Sequence, residues 1–292
     1  TSARFNDPRA ITTDGTNLYV ADSDNHKIRK IVIATGAVTT LAGSSSYGST
    51  DGTGTSAKFK NLRGITTDGT NLYVTDYSNH TIRKIVISTG VVTTLAGSAG
   101  SSGSTDGTGT AARFNIPRGI TTDGTNLYVV DSSNHKIRKI VISTGAVTTV
   151  AGSGSSGFQD GAGSSAKFSN PREITTDGTN LYVADKDNHR IRKIVISTGA
   201  VTTLAGSGSS GSTDASGTAA SFQSPMGIVF KGTNLYVGDY SNHKIRKIDL
   251  TGTVTAAVKM HNLDDDTDAV VSIASSDTGE ATVSPATLTF TE

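Results

Sequence analysis

An all-β repeat fold is predicted by two features of this sequence of 292 residues. The pattern ITTDGTNLYV, followed closely by NH-x-IRKI, occurs five times with small changes, and its copies are 54, 55, 54 and 54 residues apart. A fixed period of this size is typical of a repeat architecture. The composition agrees, because 33 glycines, abundant Thr and Ser, and no Trp suit short strands joined by polar turns. The copies begin at Ile11, Ile65, Ile120, Ile174 and Ile228.

Each repeat is predicted to form four short antiparallel strands. In the first repeat, Gly and Asp in the segment 14–17 and Asn25 mark tight turns, and we expect Asn25 to adopt a left-handed conformation. The spacing of Ile28, Ile31 and Ile33 breaks strict alternation, which predicts a bulge near Arg29. The strands are expected at Ala10–Thr13, Leu18–Ala21, Lys27–Ile33 and Val38–Leu41.

A unit of this kind cannot bury both of its faces alone. Radial stacking of four-stranded sheets buries them, so the fold class predicted is a β-propeller, which needs about four to eight blades. Five blades, or six with one degenerate blade, both fit the sequence, and a linear β-solenoid is the alternative architecture. Residues 1–258 form the predicted propeller, with blades at about 5–43, 59–97, 114–152, 168–206 and 222–258.

The motifs of each unit resemble the NHL repeat. The similarity lies in Phe-x-x-Pro-x-Gly-Ile, Asp-Gly-x-Asn-Leu-Tyr-Val-x-Asp, Asn-His-x-Ile-Arg-Lys-Ile and Val-Thr-Thr-Leu-Ala-Gly, and is clearest in Phe114–Gly152. The resemblance covers about residues 5–258 and implies a propeller, often of six blades. It also implies two known activities: RNA binding by a basic face in some animal proteins, and lyase chemistry with a metal and a base on the axis.

Residues 259–292 differ from the repeats and form an acidic, β-rich tail. They hold seven acids and one base, which leaves 25 bases and 18 acids, a net charge of +7, for residues 1–258. Strands are predicted at Val270–Ala274 and Ala286–Thr291. Three interpretations stay open: the start of a module resembling immunoglobulin-like or cadherin-like domains, strands that complete a sixth blade, or a strand that pairs with another subunit in a homo-oligomer.

A candidate anion site is predicted where the first strand of each blade begins. An arginine stands directly before the first strand in four repeats, and Met226 takes the fifth place. Since first strands line the axis of a propeller, these side chains are expected to form a partial ring at the channel mouth. Such a ring suits a carboxylate, sulfate or phosphate, although bonding to neighbouring loops is the simpler interpretation. The arginines are Arg9, Arg63, Arg118 and Arg172.

The third strand of each repeat predicts a basic surface. A solvated strand face is the simpler interpretation, and binding of a polyanion is the alternative. We do not expect nucleic acid as the partner, because no aromatic platforms stand among these bases. The residues are Lys27, Arg29, Lys30, Arg83, Lys84, Arg138, Lys139, Arg192, Lys193, Arg246 and Lys247.

Recurrent Asp and Asn residues are predicted to fix the turn after the second strand by local hydrogen bonds. The His that follows each Asn is assigned a turn or packing role, since equivalent points on neighbouring blades are too far apart to share a zinc ion. Loops with Asp51-Gly52, Asp106-Gly107 and Asp160-Gly161 suggest calcium, but they lack alternating carboxylates, so backbone capping is favoured. The turn residues are Asp22, Asn25, Asp76, Asn79, Asp131, Asn134, Asp185, Asn188, Asp239 and Asn242.

Several classes of function are disfavoured by the sequence. There is no cysteine for a disulfide or a thiolate metal site, no phosphate-binding Gly-Lys-Ser/Thr motif, and no apolar run of membrane-spanning length. The first strands offer Thr or Val where a lyase needs His and carboxylates, so no enzyme activity and no cofactor are predicted.

The predicted function is a binding or scaffolding propeller of a secreted or cell-surface bacterial protein. It would contact a protein, a glycan or copies of itself, without inserting into a membrane. A polyanion-binding module and a lyase-type enzyme are the alternatives.

Overall fold

A computed structural model describes residues 3–250 and, for the backbone, residues 254–255. The acidic tail, with its two predicted strands, lies outside the described residues. The described chain forms a five-bladed antiparallel β-propeller, as predicted. Blade 1 contains β1 (Pro8–Thr13), β2 (Asn17–Asp22), β3 (Lys27–Val32) and β4 (Val38–Ala42).

Blades 2 to 4 carry a fifth strand that was not predicted from the sequence. The loop that enters each of these blades adds two residues to its outer edge, so these sheets have five strands rather than four. Blade 2 contains β5 (Gly52–Thr53), β6 (Leu62–Thr67), β7 (Asn71–Asp76), β8 (Thr81–Val86) and β9 (Val91–Ala96). Blade 3 contains β10 (Gly107–Thr108), β11 (Pro117–Thr122), β12 (Asn126–Asp131), β13 (Lys136–Val141) and β14 (Ala146–Ala151).

Blade 4 contains β15 (Gly161–Ala162), β16 (Ile174–Thr176), β17 (Asn180–Asp185), β18 (Arg190–Val195) and β19 (Ala200–Ala205). Blade 5 contains β20 (Pro225–Lys231), β21 (Asn234–Asp239), β22 (Lys244–Asp249) and β23 (Val254–Thr255). Single 3-10 turns follow the second strands of blades 2 to 5, at Tyr77–Asn79, Ser132–Asn134, Lys186–Asn188 and Tyr240–Asn242. Others lie in the connecting loops at Gly54–Ser56, Gly109–Ala111, Gly163–Ser165 and Gly217–Ala219.

Local backbone geometry confirms one prediction and corrects another. The register between the third and fourth strands of blade 1 shifts between Ile28 and Arg29, where a bulge was expected. The left-handed residue after the second strand is His rather than Asn: His26 has φ +56°, and His80 has φ +60°. The 3-10 turn explains the difference in blades 2 to 5, because the Asn occupies its last helical position and the reversal falls on the next residue.

The hydrophobic core lies between blades rather than within one sheet. Between blades 2 and 3, Tyr73 and Ile82 on one side pack with Phe114, Ile120 and Leu127 on the other, and all are buried. Close approach of the backbones near the axis requires small residues. A Cβ on Gly119 would come within 2.8 Å of the carbonyl oxygen of Arg172, which explains the glycine.

The inner strands pack side by side at four successive interfaces, β1 on β6, β6 on β11, β11 on β16, and β16 on β20. Packing of comparable extent between β20 and β1 is not found in the described part of the chain. Consistent with an opening there, a Cβ on Gly227 would meet nothing within 4 Å. Gly227 thus differs from Gly119, because no neighbouring blade covers it in the described part of the chain.

Candidate functional site: the arginine cluster at the axis

Four arginines converge where the inner strands begin. Arg9, Arg63 and Arg118 occupy the second position of β1, β6 and β11, and Arg172 stands two residues before β16. Radial stacking of the blades brings these positions, 54 or 55 residues apart in sequence, to one end of the axis. We call these four residues the arginine cluster.

The cluster is poor in hydrogen-bond acceptors. Within residues 3–250, Arg118 donates from Nη2 to the hydroxyl of Tyr77 at 3.2 Å, whereas the side chains of Arg63 and Arg172 donate to no protein atom. The guanidinium groups of Arg63 and Arg118 instead contact the ring of Tyr77, at 4.9 and 4.8 Å from its centroid. The Nε atoms of Arg63, Arg118 and Arg172 are buried without a partner, a property that they share with the buried arginines of the third strands. Unlike those arginines, the three have no ion pair with a carboxylate in the described residues.

Burial and mutual repulsion lower the pKa values of Arg63, Arg118 and Arg172. Burial lowers the pKa of Arg118 to about 10, and the positive charges of Arg172 and Arg63 act in the same direction. The pKa of Arg63 is lowered by burial and then by Arg9. That of Arg172 is lowered by burial, with Arg63 adding to the effect and Asp187 opposing it. The four positive charges are therefore close enough to repel one another, and an anion placed among them would relieve that repulsion.

Arg9 differs from the other three. Its side chain is 46% exposed and forms an ion pair with Asp7, Nε to Oδ2, at 2.6 Å. It lines the axial cavity, whose volume is about 540 Å³ and whose wall receives residues from all five inner strands. Arg9 thus joins the arginine cluster to the cavity, and it has a competing carboxylate that the other three arginines lack.

Glu173 is the acid that lines the axial cavity among the described residues. It replaces the Gly or Ala found at this position in the other repeats, and its Oε1 accepts a hydrogen bond from the N–H of Ile174 at 3.3 Å. Burial raises the pKa of Glu173 to about 7, while Arg118 acts in the opposite direction. This carboxyl group therefore titrates near neutrality, beside the arginine cluster.

The prediction of a basic surface is wrong for its arginines. Arg83, Arg138, Arg192 and Arg246 are fully buried, and Arg29 is 13% exposed. In blade 3, Arg138 Nη1 donates to Asp131 Oδ2 at 2.8 Å, and its Nη2 donates to Asp106 Oδ1 at 2.7 Å. Strand alternation turns each arginine away from the lysine that follows it, toward a buried acid.

The lysines of the third strands remain at the surface. Of the six lysines predicted for the basic surface, Lys247 is exposed and the other five are partly exposed. Without the arginines, the charge that can face a partner is much smaller than the sequence indicated. The partly exposed lysines are Lys27, Lys30, Lys84, Lys139 and Lys193.

The recurrent Asp and Asn residues form the predicted local hydrogen bond, and the Asp also accepts further hydrogen bonds. The Asn donates from Nδ2 to the Asp at 2.8 or 2.9 Å in all five blades. The same Asp accepts from the buried Arg and from a backbone N–H of the entering loop, such as that of Asn115 on Asp131 at 2.7 Å. Burial raises the pKa of Asp76 to about 6, with Arg83 and Asn79 opposing it. The network thus fastens each entering loop to its blade.

The loop acids considered for calcium instead bind these arginines. Asp51 accepts from Arg83 at 2.7 Å and from the hydroxyl of Thr94 at 3.0 Å, and Asp106 and Asp160 have the same partners in blades 3 and 4. Asp214 accepts from Arg246 in blade 5. Among the described residues, no group of three His, Cys, Asp or Glu side chains could hold a metal ion. No helix in the described part has the length and apolar character needed to span a membrane.

The recurrent histidines join one blade to the next. Nδ1 of His80 accepts a hydrogen bond from the N–H of Ile116 at 3.1 Å, and Nδ1 of His135 accepts from the N–H of Asn170 at 3.2 Å. The acceptor role requires the neutral ring. Burial lowers the pKa of both histidines, which favours that form. A turn or packing role was predicted for these histidines, and their link between blades could not be predicted because its partner lies 35 or 36 residues away.

Comparison with known proteins gives relatives that include a protein named for the NHL repeat. NHL repeat-containing protein 2 from Homo sapiens is 29% identical over 284 residues, which is 84% of this chain and 39% of that protein. SUPPRESSOR OF QUENCHING 1, a chloroplastic protein of Arabidopsis thaliana, is 29% identical over 269 residues, 85% of this chain and 25% of that protein. The chain therefore spans less than half the length of these relatives. No protein-family model matches it.

Solved structures share the propeller fold at low sequence identity. An auxiliary nutrient binding protein from Bacteroides thetaiotaomicron has a TM-score of 0.64 at 20% identity, covering 84% of this chain and 60% of that one. A chain of a nidogen/laminin complex has a TM-score of 0.64 at 18% identity, covering 87% of this chain and 80% of that one. Virginiamycin B lyase from Staphylococcus aureus has a TM-score of 0.55 at 17% identity, covering 88% of this chain and 71% of that one. At these identities the likeness establishes the fold alone.

Proposed function

We propose that this chain, an NHL-repeat β-propeller, is a binding module that holds an anionic group of its ligand in the arginine cluster. One observation carries the proposal: the partly buried guanidinium groups of Arg63, Arg118 and Arg172 have no carboxylate within ion-pair distance in the described residues. Elsewhere in the propeller, each buried arginine of the third strands is paired with an acid.

The chemistry of the cluster suits a carboxylate, a sulfate or a phosphate. Guanidinium groups bind such oxyanions with two parallel hydrogen bonds, which supply direction as well as charge. The ring of Tyr77 contacts two of the guanidinium groups and restricts where they can move. The cluster therefore presents pre-oriented donors, which reduces the entropy lost when a ligand binds.

A protein or a glycan is the class of partner that we propose. Acidic side chains and acidic sugars both carry the required oxyanions, and neighbours of the same fold include a nutrient-binding protein and one member of a laminin complex. We further propose that the chain belongs to a secreted or cell-surface bacterial protein. A polyanion spread over the third strands is disfavoured, because their arginines are buried in ion pairs.

The test compares two variants that each remove one positive charge from blade 3. Arg118→Met places in the cluster the residue that blade 5 has there, Met226, and Lys139→Met changes a partly exposed lysine outside the cluster. Sulfate, phosphate and acetate are titrated into the full chain at constant ionic strength, and the arginine Nε–H resonances are followed by NMR. Loss of charge-assisted hydrogen bonds of about 1.5–3 kcal/mol should weaken binding of the preferred anion by about tenfold or more in Arg118→Met.

Lys139→Met should bind the anion as the unaltered chain does. Equal loss of affinity in both variants would show that the response is diffuse electrostatics rather than a site. Arginine resonances that do not respond to any of the three anions would also refute the proposal.

A further inference from the structure

A hydrogen bond to a histidine joins each of blades 1 to 4 to the next blade, and we call this contact an inter-blade joint. The joint between blades 5 and 1 is not formed in the described part of the chain. Four histidines accept an N–H from the next blade, at 3.4 Å for His26, 3.1 Å for His80, 3.2 Å for His135 and 3.0 Å for His189. The side chain of His243 in blade 5 has no such partner in the described part of the chain. The opening between blades 5 and 1 is therefore a break in an otherwise regular series of joints.

The face of blade 5 at this opening is apolar and exposed. Tyr236 is 38% exposed, whereas Tyr19, Tyr73, Tyr128 and Tyr182 at the equivalent positions are at most 1% exposed. Register places Val229 and Lys247 on either side of Tyr236 across the sheet, so the three share one face. Val229 is 54% exposed, and Ile245 is 38% exposed on the same face of the blade.

Blade 1 presents a complementary face across the opening. Ile11 is 58% exposed, while its equivalents Ile65, Ile120, Ile174 and Ile228 are at most 7% exposed. A recess of about 340 Å³ on this face is lined by Phe5, Pro8 and Ile11, among others, with Arg9 at its edge. Each end of the arc of blades thus offers half of the interface that the other blades form with their neighbours.

We propose that the opening between blades 5 and 1 is a docking surface for residues 259–292 of this same chain. The sequence of the segment predicts a strand with the required pattern, because Ala286, Leu288 and Phe290 alternate with threonines, a pattern typical of a strand with one apolar face. Burying that face against Tyr236 and Ile11 removes the exposed apolar surface on both sides.

Charge also favours this occupant. The segment holds seven acids and one base, and the opening is bordered by Arg9 and Lys247. Opposite charges at the rim steer the segment toward this surface and disfavour stretches of the basic repeats. The competing occupant is the repeat region of a second copy of this chain. That region carries a net charge of +7 over residues 1–258.

Chain connection allows the segment to reach the opening. β23 ends at Thr255, on the outer edge of blade 5, and the first predicted strand of the segment begins at Val270. The intervening residues can span about 45 Å when extended at ~3.3 Å each. Crossing a four-stranded blade takes three strand spacings, about 14 Å. Docking within the chain therefore places no strain on the connection.

The test uses the absence of cysteine from the chain, which allows single cysteines to report exposure. Val229→Cys places a thiol on the blade 5 face, and Thr125→Cys places one in an exposed turn of blade 3 as a reference. The rate of labelling by a bulky maleimide is measured in the full chain. We expect Val229→Cys to react at least about tenfold more slowly than Thr125→Cys, which corresponds to about 1.4 kcal/mol of docking free energy.

Two matched changes in the segment identify the occupant. Leu288→Asp with Phe290→Asp places charge on the apolar face and should raise the labelling rate at position 229 to that at position 125. Thr287→Asp with Thr289→Asp adds the same charge to the opposite face and should leave the slow rate unchanged. Slow labelling that both pairs leave unchanged would mean that the opening is closed by something else, and would overturn the proposal.

Two further results would also refute it. If Val229→Cys reacts as fast as the reference in the unaltered full chain, the surface is uncovered. If protection of position 229 is lost on dilution together with a dimer, the occupant is a second copy. Within one chain, protection is independent of concentration.

Discussion

Replacement of Arg138 by Met tests whether the third-strand arginines are structural rather than part of a binding surface. Arg138 is fully buried and makes four hydrogen bonds, to Asp131 and Asp106 and to the carbonyl oxygens of Arg113 and Thr105. Met retains a similar apolar length but no charge. The change leaves the buried carboxylate of Asp131 with hydrogen bonds from Asn134 and one backbone N–H.

The expected loss is large because one partner of a buried ion pair is removed. Such changes cost about 3–5 kcal/mol of unfolding free energy, since an uncompensated charge remains inside. Arg29→Met in blade 1 is the matched control. Arg29 makes two hydrogen bonds, to Asp22 and to the carbonyl of Arg4, and is 13% exposed. We expect a smaller loss there, about 1–3 kcal/mol, because water reaches its end of the pair.

The assay is urea unfolding of the full chain, followed by circular dichroism at pH 8 and pH 5. Burial raises the pKa of Asp131 and Arg138 lowers it, so removal of the arginine raises it further. A carboxyl group whose folded pKa exceeds its unfolded value destabilises the fold most above the folded pKa. The penalty of Arg138→Met should therefore shrink as the pH falls from 8 to 5.

Two outcomes would refute this reasoning. A loss below about 1 kcal/mol would place Arg138 among exposed ion pairs. A penalty that grows as the pH falls would show that Asp131 is not the group left without its partner.

The remaining predictions concern the joints and the axis. His135→Ala removes the acceptor for the N–H of Asn170, whereas His243→Ala changes a left-handed histidine that has no such partner in the described residues. Thermal unfolding should show His135→Ala to be less stable than His243→Ala by about 1–2 kcal/mol, and equal losses would mean that backbone strain alone matters. Glu173→Gln removes a carboxyl group whose folded pKa, about 7, exceeds its unfolded value. In the unaltered chain, the protonated carboxyl group of Glu173 contributes to stability, and this contribution should be lost as the pH rises from about 4.5 through 7. The variant should show no such loss. A pH profile identical in both proteins would contradict this.

The repeat period and the strands could be predicted because both are local properties. Alternation of apolar residues and Gly or Asp at turns predicted each strand of the first repeat to within about two residues of its observed ends. The five copies left five or six blades open, and the structure has five. The two-residue strand that enters blade 2 at Gly52 could not be predicted in this way. It has no alternation of its own and forms because Gly52 pairs with Val92, 40 residues later.

The arginines of the third strand were misjudged for a related reason. The segment IRKI is basic in composition, but the partners that bury Arg138 lie 7 and 32 residues before it in sequence. A signal was present, because an acid recurs in the loops with the period of the repeat, at Asp51, Asp106, Asp160 and Asp214. An acid that recurs with the same period as an arginine is an indication of a structural pair.

The fifth blade shows how departures from the repeat bear on closure. In a linear array, a terminal repeat needs a polar outer face to remain soluble. Blade 5 has Val229-Phe230-Lys231 where blade 4 has Thr175-Thr176-Asp177. This change makes the open face more apolar rather than more polar, since it puts Val229 beside Tyr236. It also removes the aspartate that accepts the tyrosine hydroxyl in the other blades, as Asp177 does from Tyr182 at 2.8 Å. A face altered toward apolar residues is suited to a partner rather than to water, so the fifth blade is not a cap.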